Sequence, residues 1–274
     1  MLGALFHNHC RDCRPNRICT IHENDAEGEG HVVALAGNPN TGKSTVFNAL
    51  TGLNQHTGNW PGKTVSRAEG TFVYEGSAYT LVDLPGTYSL LSASTDEEIA
   101  RDFILFGQPD CTVVVVDATS LERNLNLVLQ VMEITNKVIV CVNLIDEARR
   151  KGIEVDTDQL SKDLGVPAVG TAARYGEGLS ELVKTIAGVI DGRIETTPKL
   201  PAPPLAVKSA VDELVPKVQA LLPGVRNARW IAYRLIEGDY PLRQALISGQ
   251  FAALVGDERN SLRTALLAEH AAAG

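Results

Sequence analysis

No stretch of this sequence is apolar over anything near the roughly 18–20 residues that a membrane-crossing helix needs. The longest apolar runs, Val113–Val116 and Val138–Val142, have the length of buried strands. Positive charge is also scarce. Lys and Arg number 25 against 33 Asp and Glu, a net charge of −8 that argues against a nucleic-acid-binding surface. No secretory signal follows Met1. These absences set the expectation of a soluble, cytosolic chain with no nucleic-acid partner. What is present is ordinary for a globular protein: 274 residues, 44% hydrophobic and 21% charged, enough for one large domain and a smaller one.

Cysteine is sparse and unevenly placed. Three of the five cysteines and three of the six histidines fall between His7 and His22. Cys10 and Cys13 have Cys-x-x-Cys spacing, and Cys19 with His22 repeats it as Cys-x-x-His. Four such ligands, with His7 or His9 as alternatives to His22, suit Zn²⁺ or iron in a small knuckle. The other reading is a tail whose thiols stay reduced in the cytosol. Residues 1–30 are accordingly expected to be a Cys/His-rich segment and linker.

The chain is organised around Gly37-Asn38-Pro39-Asn40-Thr41-Gly42-Lys43-Ser44, a Gly-x-x-x-x-Gly-Lys-Ser loop. It follows the apolar run Val32–Ala36 and opens into Thr45–Thr51, which reads as a helix. That strand–loop–helix context is what a phosphate-binding loop requires. Backbone amides around Gly42 can wrap a polyphosphate, and the helix N-terminus adds a favourable dipole. Lys43 would reach the β- and γ-phosphates, and the Ser44 hydroxyl would ligate Mg²⁺.

Strands and helices alternate from His31 onward, which predicts an α/β fold, mostly parallel with helices on both faces. Leu53–Ser66 has little periodicity and reads as a loop. Thr71–Tyr74 and Ala78–Val82 read as a hairpin around Glu75-Gly-Ser77. It leads to Asp83-Leu84-Pro85-Gly86, where the carboxylate can hold Mg²⁺ through water and Gly86 can offer its amide to a γ-phosphate. The strand Cys111–Ala118 and the helix Leu121–Ile134 come next. Val138–Asn143 then ends on Asn143-Leu144-Ile145-Asp146. A carboxylate at Asp146 accepts from guanine N1–H and its exocyclic amine, whereas adenine presents the opposite pattern; the other use of such an Asp is to cap a helix. After a last strand at Ala168-Val169, an amide of Ala172 or Ala173 is placed to meet the guanine carbonyl.

Those four segments stand in the order of the translation-factor-like small GTPases, which implies a P-loop GTPase fold. Gly58-Asn-Trp-Pro-Gly-Lys-Thr-Val65 and Asp83-Leu-Pro-Gly-Thr-Tyr-Ser-Leu90 make the chain resemble, over about residues 31–272, the ferrous iron transport protein B family. The resemblance implies a GTPase domain at 31–192 that binds GTP and GDP through Gly37–Thr45, Gly62–Thr64, Asp83–Gly86, Asn143, Leu144, Asp146 and Ala172–Ala173. It implies Mg²⁺ on Ser44, Thr64 and Asp83, with Lys43, Asn40, Thr64 and Gly86 in the chemistry. No carboxamide follows Gly86, where Thr87 and Tyr88 stand, so a water-orienting glutamine is missing. Potassium-activated relatives instead hold K⁺ with an asparagine at the place of Asn40 and carbonyls near Asn59–Gly62; the plainer role for Asn40 is to cap the loop. The family further implies a membrane permease domain, small cytosolic accessory proteins, self-association, and a place on the cytoplasmic side of the bacterial inner membrane.

Residues 193–204 form a Pro-rich linker. In 205–274, Val207, Val211, Leu214, Val218 and Leu221 recur at helical spacing despite Pro216. Ala228–Glu237, Pro241–Leu254 and Glu258–Ala272 also read as helices, so a small bundle is expected. Two functions fit: a GTP-hydrolysing switch that gates Fe²⁺ uptake, or a stand-alone GTPase of ribosome and RNA biogenesis. The charge and the Gly-Asn-Trp-Pro-Gly segment favour the first.

Overall fold

The computed structural model describes residues 30–52, 55–60, 63–91, 94–225 and 227–249. The cysteine- and histidine-bearing head, Gly62, the end of the Pro241–Leu254 segment and the Glu258–Ala272 segment lie outside them.

Seven strands make one sheet: β1 (His31–Gly37), β2 (Gln55–Asn59), β3 (Ser66–Tyr74), β4 (Ser77–Asp83), β5 (Cys111–Asp117), β6 (Val138–Asn143) and β7 (Ala168–Gly170). Their order is β2-β3-β4-β1-β5-β6-β7. β1 runs parallel to β4 and β5, and β6 and β7 continue the parallel set. The strands β1, β5 and β6 are apolar without alternation because both of their faces are covered. Val32, Ala34, Ala36, Val114 and Val116 belong to the cluster on one side. Val33, Leu35, Val113 and Val115 belong to the cluster on the other. Each fully buried Val or Leu contributes about 1.5–3 kcal/mol.

The antiparallel side differs from the sequence expectation in two respects, the first being that β3 begins at Ser66 rather than Thr71. Residues 55–59, read as loop, form an edge strand paired with β3 from Gln55↔Gly70 to Asn59↔Ser66. Four of the five residues in Gln-His-Thr-Gly-Asn are exposed, so there is no buried face to produce a period; backbone pairing with β3, and the Gln55 amide donating to Asn48 Oδ1, Thr51 Oγ1 and the Gly52 carbonyl, hold the strand. The hairpin between β3 and β4 is as expected. It turns on Glu75 and Gly76, both at positive φ (50° and 81°), the two-residue geometry that matches strand twist.

The helices that position the site are α1 (Lys43–Thr51), α2 (Thr95–Asp102) and α3 (Leu121–Ile134). α2 begins where the Ser94 hydroxyl accepts from Glu97 N, with Asp96, Glu97 and Glu98 in its first turn. It runs on directly into a π-helical turn, Phe103–Gly107. α4 (Ile145–Arg150), α5 (Thr157–Leu164) and α6 (Leu179–Ile190) complete the sheet's cover. Residues 195–204 carry no helix or strand. Beyond them come α7 (Leu205–Leu221, with Pro216 inside it), α8 (Ala228–Ile236) and α9 (Tyr240–Ile247).

These last helices do not stand apart. Val211, Val218, Trp230, Ile231 and Leu242 belong to the same buried cluster as Leu127, Val128 and Val131 of α3. Arg234, nearly buried, reaches from α8 to Glu133 of α3 at 3.0 Å and also pairs with Glu237 at 2.8 Å. Among the described residues no helix is long and apolar enough to cross a membrane.

Candidate functional site

At the C-terminal end of β1 the chain must turn sharply into α1. Gly37 begins the turn, and a Cβ there would lie 2.7 Å from the Val115 carbonyl oxygen. Thr41 closes it by donating its hydroxyl to the Asn38 carbonyl at 2.9 Å. Gly42, at φ 78°, caps α1 without a side chain. Thr45 N already donates to the Gly42 carbonyl at 2.9 Å, which leaves the amides of Lys43 and Ser44 for an external acceptor, and the Ser44 side chain is exposed beside them. Asn40 is exposed with φ 66°, a left-handed conformation that Asn tolerates better than most residues. Asn38 is buried, and neither polar atom of its side chain has a partner among the described residues.

The loop that leaves β4 packs on this turn. Thr87 N donates to the Gly37 carbonyl at 3.2 Å, and a Cβ on Gly86 would sit 3.6 Å from Pro39. Leu84 N donates to Leu35 O at 3.0 Å, extending the sheet pairing by one residue. The Lys43 ammonium pairs directly with the Asp83 carboxylate. Burial pushes the Asp83 pKa up from its ordinary value, and the Lys43 charge opposes that rise.

The opposite end of the site is tied together by one amide. Asn143 is 1% exposed. Its Nδ2 donates to the Thr41 carbonyl at 2.9 Å, and its Oδ1 accepts from Thr171 Oγ1 at 3.0 Å and from Ala173 N at 3.1 Å. Asn143 thus ties the phosphate loop to the 171–173 turn, a role that spacing alone did not show. Gly42 is required by the same amide, since a Cβ there would lie 2.4 Å from Nδ2. Beside it opens a cavity of about 440 Å³ lined by Thr45, Asn143, Leu144, Asp146, Ala173 and Arg174, with Glu147 and Arg150. Leu144 reaches it at φ 64°, capping α4. Arg150, which sequence reasoning missed, holds Asp146 at 2.9 Å and Glu147 at 2.6 Å. Ala172 donates its amide to the Glu177 carbonyl and Ala173 donates its own to Asn143 Oδ1, so both amides expected to meet the guanine carbonyl are engaged within the protein, although Ala173 lines the cavity.

With this geometry in hand, comparison with known proteins is decisive. The family model for ferrous iron transport protein B matches residues 31–186. The chain belongs to that family. The Fe(2+) transporter FeoB of Salmonella typhimurium is 41% identical over 212 residues, covering 76% of this chain and 27% of its own length. A Fe(2+) transport protein A/FeoB fusion protein of Porphyromonas gingivalis is 40% identical over 223 residues, covering 79% of this chain and 26% of its own length. The chain therefore spans about a quarter of these relatives. Among solved FeoB structures, the cytosolic domain of the T. maritima iron transporter in apo form superposes with a TM-score of 0.71 at 35% identity, covering 88% of this chain and 99% of that one. A mutant of S. thermophilus NFeoB bound to GDP gives a TM-score of 0.71 at 32% identity, covering 88% and 98%.

In this FeoB-family chain, then, the Gly37–Thr45 turn meets the Asp83–Gly86 loop and Asn143 through direct contacts, while Lys63 and Thr64 make no hydrogen bond or ion pair with them among the described residues. Thr64 is exposed, and its hydroxyl makes no hydrogen bond among the described residues. Lys63 pairs with Glu98 at 3.2 Å rather than with any described residue of the phosphate loop. In donor chemistry Ser44, Thr64 and Asp83 suit a hard divalent cation, since all three offer oxygen, with the Asp83 carboxylate paired to Lys43 in this structure. The Asn40 carboxamide is exposed, and no hydrogen bond engages it among the described residues.

Proposed function

We propose that this chain binds and hydrolyses GTP, and that in the full-length protein this turnover gates a ferrous-iron transporter on the cytoplasmic side of the bacterial inner membrane. The observation that carries the reading is the continuity of the site. One buried amide, Asn143, joins the loop that would hold the phosphates to the turn that would hold the base.

Guanine would enter the cavity beside Asp146, whose two carboxylate oxygens match N1–H and the exocyclic amine. Arg150 would then give up or share Asp146. The phosphates would lie along the free amides of the Gly37–Ser44 turn, with Lys43 passing from Asp83 to the β- and γ-oxygens. Gly86 would present its amide to the γ-phosphate from its place against Pro39. Ser44, Thr64 and Asp83 would hold Mg²⁺, which neutralises phosphate charge and fixes the oxygens for in-line attack. Asn40 would hold K⁺, supplying positive charge between the β- and γ-phosphates where Thr87 and Tyr88 offer no glutamine.

Base selection tests the reading. GTP and GDP should bind far more tightly than ATP, and Asp146→Asn should relax the preference by on the order of 2–4 kcal/mol. Equal affinity of the parent protein for ATP and GTP sinks it.

A further inference from the structure

The loop that leaves β4 is tied down through three backbone amides at regular intervals, those of Leu84, Thr87 and Leu90. Leu84 N donates to Leu35 O of β1 at 3.0 Å, and Thr87 N donates to Gly37 O of the phosphate turn at 3.2 Å. Leu90 N donates at 2.7 Å to Oε1 of Gln130, forty residues away on α3. The first two acceptors are backbone carbonyls, which any sequence would offer. The third is a side chain, so this anchor alone depends on the residue placed there.

Between the second and third anchors the loop is stiff. Thr87, which is buried, donates its hydroxyl to Ser89 O at 2.7 Å and accepts from Ser89 N at 3.2 Å. A turn closed on itself in this way moves as a unit, so a shift at Leu90 is passed to Thr87 and to Gly86 beside it. The Leu90 side chain lies in the buried cluster that holds Leu127, Val128 and Val131 of α3. The Arg123 guanidinium, also on α3, sits 4.6 Å over the Tyr88 ring. Both of those side chains are exposed, so that contact contributes less than the Gln130 bond.

Gly86 itself lies against Pro39, and its amide makes no hydrogen bond among the described residues. A donor meant for a ligand acts most strongly when its direction is set before the ligand arrives, because binding then carries less ordering cost.

We infer that Gln130 is a positioning residue, whose carbonyl oxygen fixes Leu90 and thereby holds the Gly86 amide where a γ-phosphate would meet it. The inference rests on the GTPase reading above. Gln130 touches no part of the nucleotide in this arrangement; it acts through the loop. Its effect is therefore confined to the phosphate that Gly86 faces. GDP lacks that phosphate and should not feel the change.

Gln130→Met keeps the length of the side chain and removes the acceptor, whereas Gln130→Glu keeps an oxygen at the same reach. Affinities for GDP and for a non-hydrolysable GTP analogue, both with Mg²⁺, are measured by calorimetry. Gln130→Met should lower the ratio of analogue to GDP affinity by about threefold to tenfold, the scale of one hydrogen bond. Gln130→Glu should keep the parent ratio. Hydrogen exchange of the Leu90 amide should quicken in Gln130→Met and not in Gln130→Glu. Where Gln130→Met does not fold, Gln130→Asn, one methylene shorter, withdraws the same acceptor. A bond that merely braces the fold would lower the melting temperature and leave the ratio unchanged, and that result overturns the inference. So does a Gln130→Glu protein that behaves like Gln130→Met. A parent protein that binds neither nucleotide refutes the GTPase reading, and the inference with it.

Discussion

Replacing Asn143 with alanine should be among the most damaging single changes in the site. Its side chain makes three hydrogen bonds at 2.9, 3.0 and 3.1 Å, to Thr41, Thr171 and Ala173. A buried hydrogen bond contributes about 1 kcal/mol net, and a donor or acceptor left dry costs about 1–3 kcal/mol. Asn143→Ala strands a carbonyl, a hydroxyl and an amide together, so a loss of about 3–5 kcal/mol is expected. The hydroxyl can turn toward the Cys141 thiol, which lies 3.3 Å away, and this keeps the figure from running higher. Thr171→Val removes one of the three bonds and should cost about 1–2 kcal/mol. Asn143→Asp keeps the acceptor but faces an anion to the Thr41 carbonyl, and should be no milder than alanine. Urea unfolding with linear extrapolation measures all three, provided the slope is unchanged between variants. The reasoning fails if Asn143→Ala lies within about 1 kcal/mol of the parent, or if Thr171→Val is the costlier change.

Lys43→Ala should abolish Mg²⁺-dependent turnover, since charge and metal stabilisation carry most phosphoryl transfer; near-parent rates would make the loop structural only. Turnover should be about tenfold or more faster in KCl than in NaCl at matched ionic strength, roughly 1.4 kcal/mol of barrier. Asn40→Ala should erase that difference while leaving GDP affinity nearly intact, and equal rates in both salts would point to a partner's side chain. Because burial raises the Asp83 pKa, its carboxylate takes up a proton at higher pH than an ordinary Asp. Apparent Mg²⁺ affinity should therefore begin to fall, as pH is lowered, above the usual carboxylate range; a fall confined to that range would contradict the assignment.

The parts of the site that are contiguous in sequence were legible there. Gly37–Ser44, Asp83–Gly86 and Asn143–Asp146 each end a strand, because a turn off a buried parallel strand is where backbone amides and short side chains can face a ligand. The relations between them were not legible. The Lys43–Asp83 pair spans forty residues and the Asn143–Thr41 bond one hundred and two, and no local period encodes either. Asn143 was read through its neighbour Asp146, so its work as an inter-loop tie went unseen. Gln55–Asn59 was read as loop because an edge strand with polar, exposed side chains leaves no hydrophobic signature. The π-helical turn at Phe103–Gly107 was equally invisible, since Phe-Ile-Leu-Phe suits any buried helix. Arg150 belongs to none of the motifs, and only its ion pairs with Asp146 and Glu147 give it a place beside the cavity.

The polar edge strand has a consequence for motion. β2 is joined to the sheet through β3 alone and buries almost nothing. Peeling it away would break a ladder of amide bonds and the bonds of Gln55 to α1, yet uncover little apolar surface, so its opening free energy should sit far below that of the whole fold. Native-state hydrogen exchange should then divide the sheet in two. Amides of 55–59 should exchange by local detachment, and those of β1, β5 and β6 only when the entire structure unfolds. Residues 55–59 are in that sense a ribbon laid on the sheet's rim, able to lift without disturbing the core beneath.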